Sequence, residues 1–321
     1  MKYRKSEAKE YTREHMKGIW AAIPCPFTED DQLDEAALRK SMRYYIEELK
    51  IDGFFCGGLI GEFWALTTEE RKRLQKVVVE ECYGKAQIIA HTGHQSVGEA
   101  ISLTRHAEEV GADYAIHINP YFAAKGDRHV KAFFTHLCEN VDIGVSLFNS
   151  SLSGVTLSPR LIAELADIEN ICCVKNAQSM EHHVETLRLA GEKIVCSEPS
   201  EKNWMINHAY LGQQVFMSSP EPYLYQRPGK LIIRDYTRLI DEGRIGEAKK
   251  LSYTLTELRG LFEKWIMEPW KAGTLPIAYL KHWCALLGMP GGGKVRPPLL
   301  QITVPEKEEM KADLQRVGLI G

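Results

Sequence analysis

Gln87-Ile-Ile-Ala-His91, a helix over residues 96–110, then Asp113-Tyr-Ala-Ile-His117: this stretch decides the fold. Each apolar run is too short for a helix, and it is continuous rather than alternating, as expected of parallel strands buried on both faces. Working outward, further strands are expected at residues 18–23, 53–56, 143–148, 171–175, 193–196 and 214–217. Helices are expected at 34–49, 67–82, 128–140, 159–166, 180–190 and 201–210. Thr67-Thr68-Glu69-Glu70 reads as a helix start, with acidic residues in the first turn. Eight strand-then-helix units recurring about every 25 residues argue for an α/β fold, the (β/α)8 TIM barrel. After residue 228 the pattern is helical only, at 230–239, 245–265 and 274–287. The chain therefore divides into a polar N-terminal segment (1–16), the barrel (17–228) and an α-helical C-terminal extension packed on it (229–321). Pro290-Gly-Gly-Gly293 follows no strand and reads as a loop, not a phosphate cradle.

The 321 residues are 44% hydrophobic and 26% charged, which permits a large core and argues against disorder. A net charge of −3, with no basic face or Lys/Arg run, gives no reason to expect nucleic acid or an anionic membrane as partner. Residues 1–15 lack the apolar centre of a signal peptide, and no window is long enough to span a membrane, so a cytoplasmic location is expected. The eight cysteines form no CxxC pair and lie mostly in apolar runs, which reads as small buried hydrophobes in a reducing compartment. His182 and His183 point about 100° apart on a helix and share no face, so no metal is expected there. Trp265, Trp270 and Trp283 read as packing or subunit contacts. No cofactor is implied.

In this architecture chemistry sits where strands end. The strand-end candidates are Glu62, His91, His117, Tyr121, Phe148, Asn149, Lys175, Glu198 and Ser218. Lys175 closes the run Ile171-Cys-Cys-Val-Lys175. Burial disfavours an ammonium, and a lysine with a lowered pKa attacks a ketone to form a Schiff base. The plainer alternative is a strand-end lysine that extends its head to water.

Gly58-Leu59-Ile60-Gly61-Glu62-Phe63, followed by Leu66-Thr67 and Glu69-Glu70-Arg71, resembles the Gly-x-x-Gly-Glu…Leu-Thr-x-Glu-Glu signature of the dihydrodipicolinate synthase / N-acetylneuraminate lyase family, class I aldolases on a (β/α)8 barrel. The resemblance continues through Asn119-Pro120-Tyr121, Phe148-Asn149, Val174-Lys175, Leu275-Pro276-Ile277 with Lys281, and Val295-Arg296-Pro297-Pro298. It implies that Lys175 condenses with pyruvate or another 2-oxo acid. It also implies that the turn Gly58, Leu59, Ile60, Gly61, Glu62 binds the carboxylate through backbone N–H groups, and that the protein is a homodimer or homotetramer. Tyr121, Phe122, Phe148, Asn149, Ser197, Glu198, Met217 and Ser218 complete the substrate-binding set it implies.

The chain departs from this pattern in one direction. Phe148 stands where the family carries its catalytic tyrosine, and loss of a general acid–base group costs roughly 10² to 10⁴ in rate. Leu59 and Ile60 replace hydroxyl-bearing residues, and Phe122 replaces a second tyrosine. The loop Asn149-Ser-Ser-Leu-Ser-Gly154 lacks the arginine that binds a second carboxylate, and Glu198 falls where a glycine is common. An apolar wall leaves the polar groups of a dicarboxylate or a sugar acid unpaired, which disfavours dihydrodipicolinate synthesis and sialic acid cleavage. The expectation is a Schiff-base lyase for a 2-oxo acid with an apolar substituent, for example a hydratase-aldolase of arylidene pyruvates. The alternatives are an impaired member that binds a 2-oxo acid without turnover, or an imine-based decarboxylase or deaminase. His117, Ser150, Ser151 and Glu198 are open candidates for the missing proton relay.

Overall fold

The computed structural model describes residues 2–121, 125–290 and 293–321. The strands are β1 (Gly18–Ala22), β2 (Gly53–Cys56), β3 (Gln87–His91), β4 (Tyr114–Ile118), β5 (Gly144–Ser150), β6 (Ile171–Ala177), β7 (Val195–Ser197) and β8 (Val215–Met217). All are parallel, in the order β7-β6-β5-β4-β3-β2-β1-β8. The seam between β7 and β8 is closed by side chains. Ser197 Oγ donates to Val215 O (3.0 Å) and accepts from Met217 N (3.0 Å), while Gln213 Nε2 donates to both Val215 O and Glu198 O. The fold is a (β/α)8 barrel.

The helices that alternate with the strands are α2 (Glu35–Glu47), α3 (Thr68–Cys82), α4 (Val97–Val110), α5 (Asp127–Glu139), α6 (Pro159–Leu165), α7 (Met180–Ala190) and α8 (Glu201–Leu211). Thr67 caps α3 in a capping box with Glu70, at the start the sequence predicts. β8 is followed by a single turn, α9 (Glu221–Leu224), and the outer layer is completed by α10 (Ile232–Asp241). There Thr237 accepts the indole N–H of the buried Trp204 on α8 at 2.8 Å.

Residues before β1 are not merely polar. Helix α1 (Ala8–His15) buries Ala8 and Thr12 at the N-terminal end of the barrel, against β5, β6 and β7. Tyr3 there donates to Asp113 O and accepts from Gly144 N, satisfying backbone groups at the starts of β4 and β5. The C-terminal helices share one apolar core with the barrel, through Leu261, Trp265, Leu280, Trp283 and Leu314.

The single helix expected over 245–265 is broken. It runs as α11 (Ile245–Tyr253) and α12 (Thr256–Phe262), passes through a π turn (Glu263–Met267) and ends as α13 (Glu268–Lys271). Thr254 and Thr256 turn their hydroxyls back onto Leu251 O and Tyr253 O at the first break, an alternative to the regular ladder. α14 (Ile277–Leu286) follows. α15 (Val304–Arg316) is a helix the sequence reading did not foresee, started by Pro305 and a Thr303–Glu306 capping box. No helix among the described residues is long and apolar enough to cross a membrane. All eight cysteines are buried thiols.

Candidate active site

Lys175 lies near the C-terminal end of β6 and is 1% exposed. The β5–β6 register sets it opposite Phe148, and the β6–β7 register opposite Ser197. Its Nζ donates to Ser218 O at 3.1 Å and lies 4.9 Å and 5.4 Å from the ring centres of Phe55 and Phe148. Burial lowers its pKa to about 7, and the nearby Glu221 carboxylate offsets only part of that cost. A cavity of about 50 Å³ adjoins it, walled by Phe55, Leu59, Ile60, Phe148, Ser150 and Trp270 among others.

The turn after β2 forms one wall because its backbone folds tightly. A Cβ on Gly58 would stand 2.5 Å from the Phe55 ring, so only glycine lets the chain pass there. Glu62 closes the turn in a left-handed conformation (φ 52°). Its side chain leaves the cavity: Oε1 accepts from Lys281 Nζ (2.6 Å) and Oε2 from Arg296 N (2.9 Å), all fully or nearly fully buried. Glu62 is therefore a brace for the turn rather than a ligand group. Arg296 extends the brace with a two-pronged bond to Glu70 (2.7 and 3.0 Å). Among the described residues, the backbone N–H groups of Leu59, Ile60 and Gly61 have no protein acceptor. Free backbone donors grouped in one turn are of the kind that can receive an anion.

Several expected contacts lie elsewhere. Asn149 is spent within the protein. Its Oδ1 accepts from Leu157 N (2.8 Å), and its Nδ2 donates to Leu157 O (3.1 Å) and Asn176 Oδ1 (3.0 Å), fixing the loop after β5. Ser197 is taken up by the β7–β8 seam, and Met217 is wholly buried. His117 bonds the hydroxyls of Thr92 (2.7 Å) and Thr104 (3.2 Å) toward α4. Burial holds its pKa near 3, so it is neutral and not a relay. Tyr121 does not line the lysine cavity but a neighbouring one of about 540 Å³, with Phe63, Arg71 and His94, which shares Leu59 with it. His91 bonds Arg71 and packs on Phe63 and on Phe55, the ring that also lies by Lys175. Phe122 lies outside the described residues.

A larger chamber of about 830 Å³ shares Ser150, Ala177, Pro199, Ser219 and Trp270 with the lysine cavity. The loops after β5 to β8 form one side of it, and Phe262, Ile266, Met267 and Trp270 of the broken C-terminal helix form the other. Glu198 faces it and is raised to about 7 by burial. Glu221, also raised by burial, accepts from Ser218 Oγ at 2.7 Å. The apolar character expected of the whole pocket is therefore confined to the lysine cavity and the helical wall. Sequence reasoning missed Glu221, Trp270 and Phe55. Glu221 stands four residues past the end of β8, within the distance from a strand end at which Glu62 is a candidate.

A family model, the dihydrodipicolinate synthetase family, matches residues 15–317. The chain belongs to the dihydrodipicolinate synthetase family. It is 30% identical over 304 residues to the 4-hydroxy-tetrahydrodipicolinate synthase of Methanothrix thermoacetophila, covering 94% of this chain and 95% of that one. The corresponding enzyme of Methanothermobacter thermautotrophicus is 35% identical over 174 residues, spanning 54% of this chain and only 61% of the relative. An N-acetylneuraminate lyase of Clostridium perfringens is 30% identical over a similar stretch of 176 residues, again 54% and 61%. Among solved structures, dihydrodipicolinate synthase of Aquifex aeolicus superposes with a TM-score of 0.81 at 25% identity, over 94% of this chain and 98% of that one. YagE of E. coli K12, solved with pyruvate, shares the fold at a TM-score of 0.83 and 24% identity, over 94% and 99%. The synthases and the N-acetylneuraminate lyase among these relatives are lyases of the class I aldolase type.

Proposed function

We propose that the protein is a lyase that forms an imine between Lys175 and a 2-oxo acid, and makes or breaks a C–C bond or removes water through it. The observation that carries this reading is Lys175 itself: buried, held by a single carbonyl, and poised about pKa 7 next to a cavity. The unpaired N–H groups of Leu59, Ile60 and Gly61 supply the carboxylate cradle on the same cavity. The neutral amine attacks the ketone carbon. The iminium then accepts the electron pair of the adjacent bond, and hydrolysis returns Lys175. Five glutamates line the adjoining chamber (Glu181, Glu198, Glu201, Glu221, Glu263) against Lys202 and Arg259. Arg259 is occupied by Glu201, at 2.8 and 2.9 Å. With Arg259 taken up by Glu201, the chamber offers little free positive charge to an anionic second substrate and accepts an uncharged one, whose apolar part Phe262 and Trp270 can cover.

Borohydride reduction with pyruvate, followed by peptide mass spectrometry, tests the reading. A pyruvate adduct on Lys175 is expected. The rate of capture should rise with pH to a midpoint near 7, because below it the amine is protonated and cannot attack. A midpoint near 10 would show that the reacting lysine is solvated and is not Lys175. Phe148 favours a second reading, a member that binds a 2-oxo acid without turnover. An adduct that forms with no release of product from any 2-oxo acid or aldol would support it.

A further inference from the structure

The proposed imine chemistry needs a proton donor and acceptor, and Phe148 has no hydroxyl to offer. The acids of the chamber differ in how they meet the lysine. Glu198 has its oxygens held by Ser200 N and Asn207 Nδ2, both at 3.2 Å, and no hydrogen bond joins it to Lys175 among the described residues. Glu221 is linked to it through one residue: Lys175 Nζ donates to the carbonyl of Ser218, and the hydroxyl of Ser218 donates to Glu221 Oε2. Glu221 is also the carboxylate whose field reaches Lys175. It is 5% exposed and lines the chamber that adjoins the lysine cavity. Its other oxygen has only a long contact with Glu201 N, at 3.5 Å, so it has capacity for a further bond. Glu201 behind it is tied to Arg259 and Tyr236, whereas Glu221 has no cation bound to it among the described residues.

Resting on the imine reading, we propose that Glu221 is the acid–base catalytic residue of this site and carries the proton transfers that a tyrosine hydroxyl performs elsewhere in the family. The steps balance. As the Lys175 amine bonds to the ketone carbon, the carbonyl π pair moves to oxygen, which takes the Glu221 proton. The new N–H₂⁺ returns one proton to the carboxylate, giving a neutral carbinolamine. Glu221 then protonates the hydroxyl, water leaves with the C–O pair, and the nitrogen lone pair forms the iminium. The Glu221 carboxylate finally removes a proton from the adjacent carbon, leaving an enamine and a protonated Glu221. Burial raises this carboxyl above its ordinary range, toward the protonated form that the first step uses.

The test is exchange of the pyruvate methyl protons in D₂O, followed by NMR, alongside borohydride capture. The wild-type protein should exchange them, and Lys175→Ala should not. Glu221→Gln should slow exchange roughly 10²- to 10⁴-fold, while long incubation with borohydride still captures pyruvate on Lys175. Adding Phe148→Tyr to Glu221→Gln should restore exchange, which a folding defect would not permit. Wild-type exchange in Glu221→Gln, with capture intact, overturns the role of Glu221 and leaves the imine reading standing. Absence of both capture and exchange in the wild-type protein instead removes the imine reading, and this inference with it.

Discussion

Replacing Lys175 by methionine is expected to stabilise the protein at neutral pH while ending all capture of pyruvate. Unfolded, the lysine has a pKa near 10.5; folded, burial holds it at about 7. Between these values the unfolded chain binds the extra proton, so stability rises with pH across that window. The cost of burying this amine is therefore fully present below pH 7, where it is charged in both states, and gone above 10.5. A shift of about 3.5 units corresponds to at most about 4–5 kcal/mol. Methionine fills a similar volume without that cost, so urea denaturation at pH 6.5 should show Lys175→Met more stable by a few kcal/mol, with the gap closing by pH 10. Equal stability at pH 6.5 would mean that the amine reaches water in the folded state, and its value as a nucleophile at pH 7 would go with it. A stability penalty concentrated on one residue is what a site selected for chemistry rather than for packing carries.

The barrel was legible because its signal is local. Runs such as residues 87–91 and 113–117 announce buried strands by continuous apolarity, and the α3 start at Thr67 follows from cap chemistry alone. Lys175 was legible for the same reason, as a charge at the end of such a run. What escaped depended on contacts distant in sequence. Glu62 stands inside the recognisable turn, yet its partner Lys281 is 219 residues away, so its role as a brace could not be read from the motif. Ser197 and Asn149 stand at the right strand ends, but the seam to β8 and the loop to Leu157 claim their polar atoms. α1 and α15 were missed because their charged sequences show too few apolar positions; each is held by burying two side chains against the rest of the protein.

The brace behind the turn gives the second large effect. Lys281→Met is expected to destabilise the protein by about 3–5 kcal/mol, because it strands the Glu62 carboxylate in the interior without its cation. Both side chains are fully buried, so solvent cannot screen the loss. Adding Glu62→Gln removes the stranded charge yet keeps an acceptor for Arg296 N, and should recover part of the loss. A double-mutant cycle by urea denaturation that comes out additive would show that the two groups do not act as a pair. The consequence for function runs through the backbone. Glu62 ends the turn whose Leu59, Ile60 and Gly61 N–H groups face no protein acceptor among the described residues, and Lys281 and Arg296 hold its side chain while its backbone is left-handed. Lys281→Met should therefore slow capture of pyruvate on Lys175, although among the described residues Lys281 hydrogen-bonds only Glu62 and Lys294 O, the backbone carbonyl two residues before Arg296. The C-terminal helices contribute to the site in two ways, through the chamber wall at Trp270 and through this buried pair. Removing them would take away both the support of the turn after β2 and one wall of the chamber.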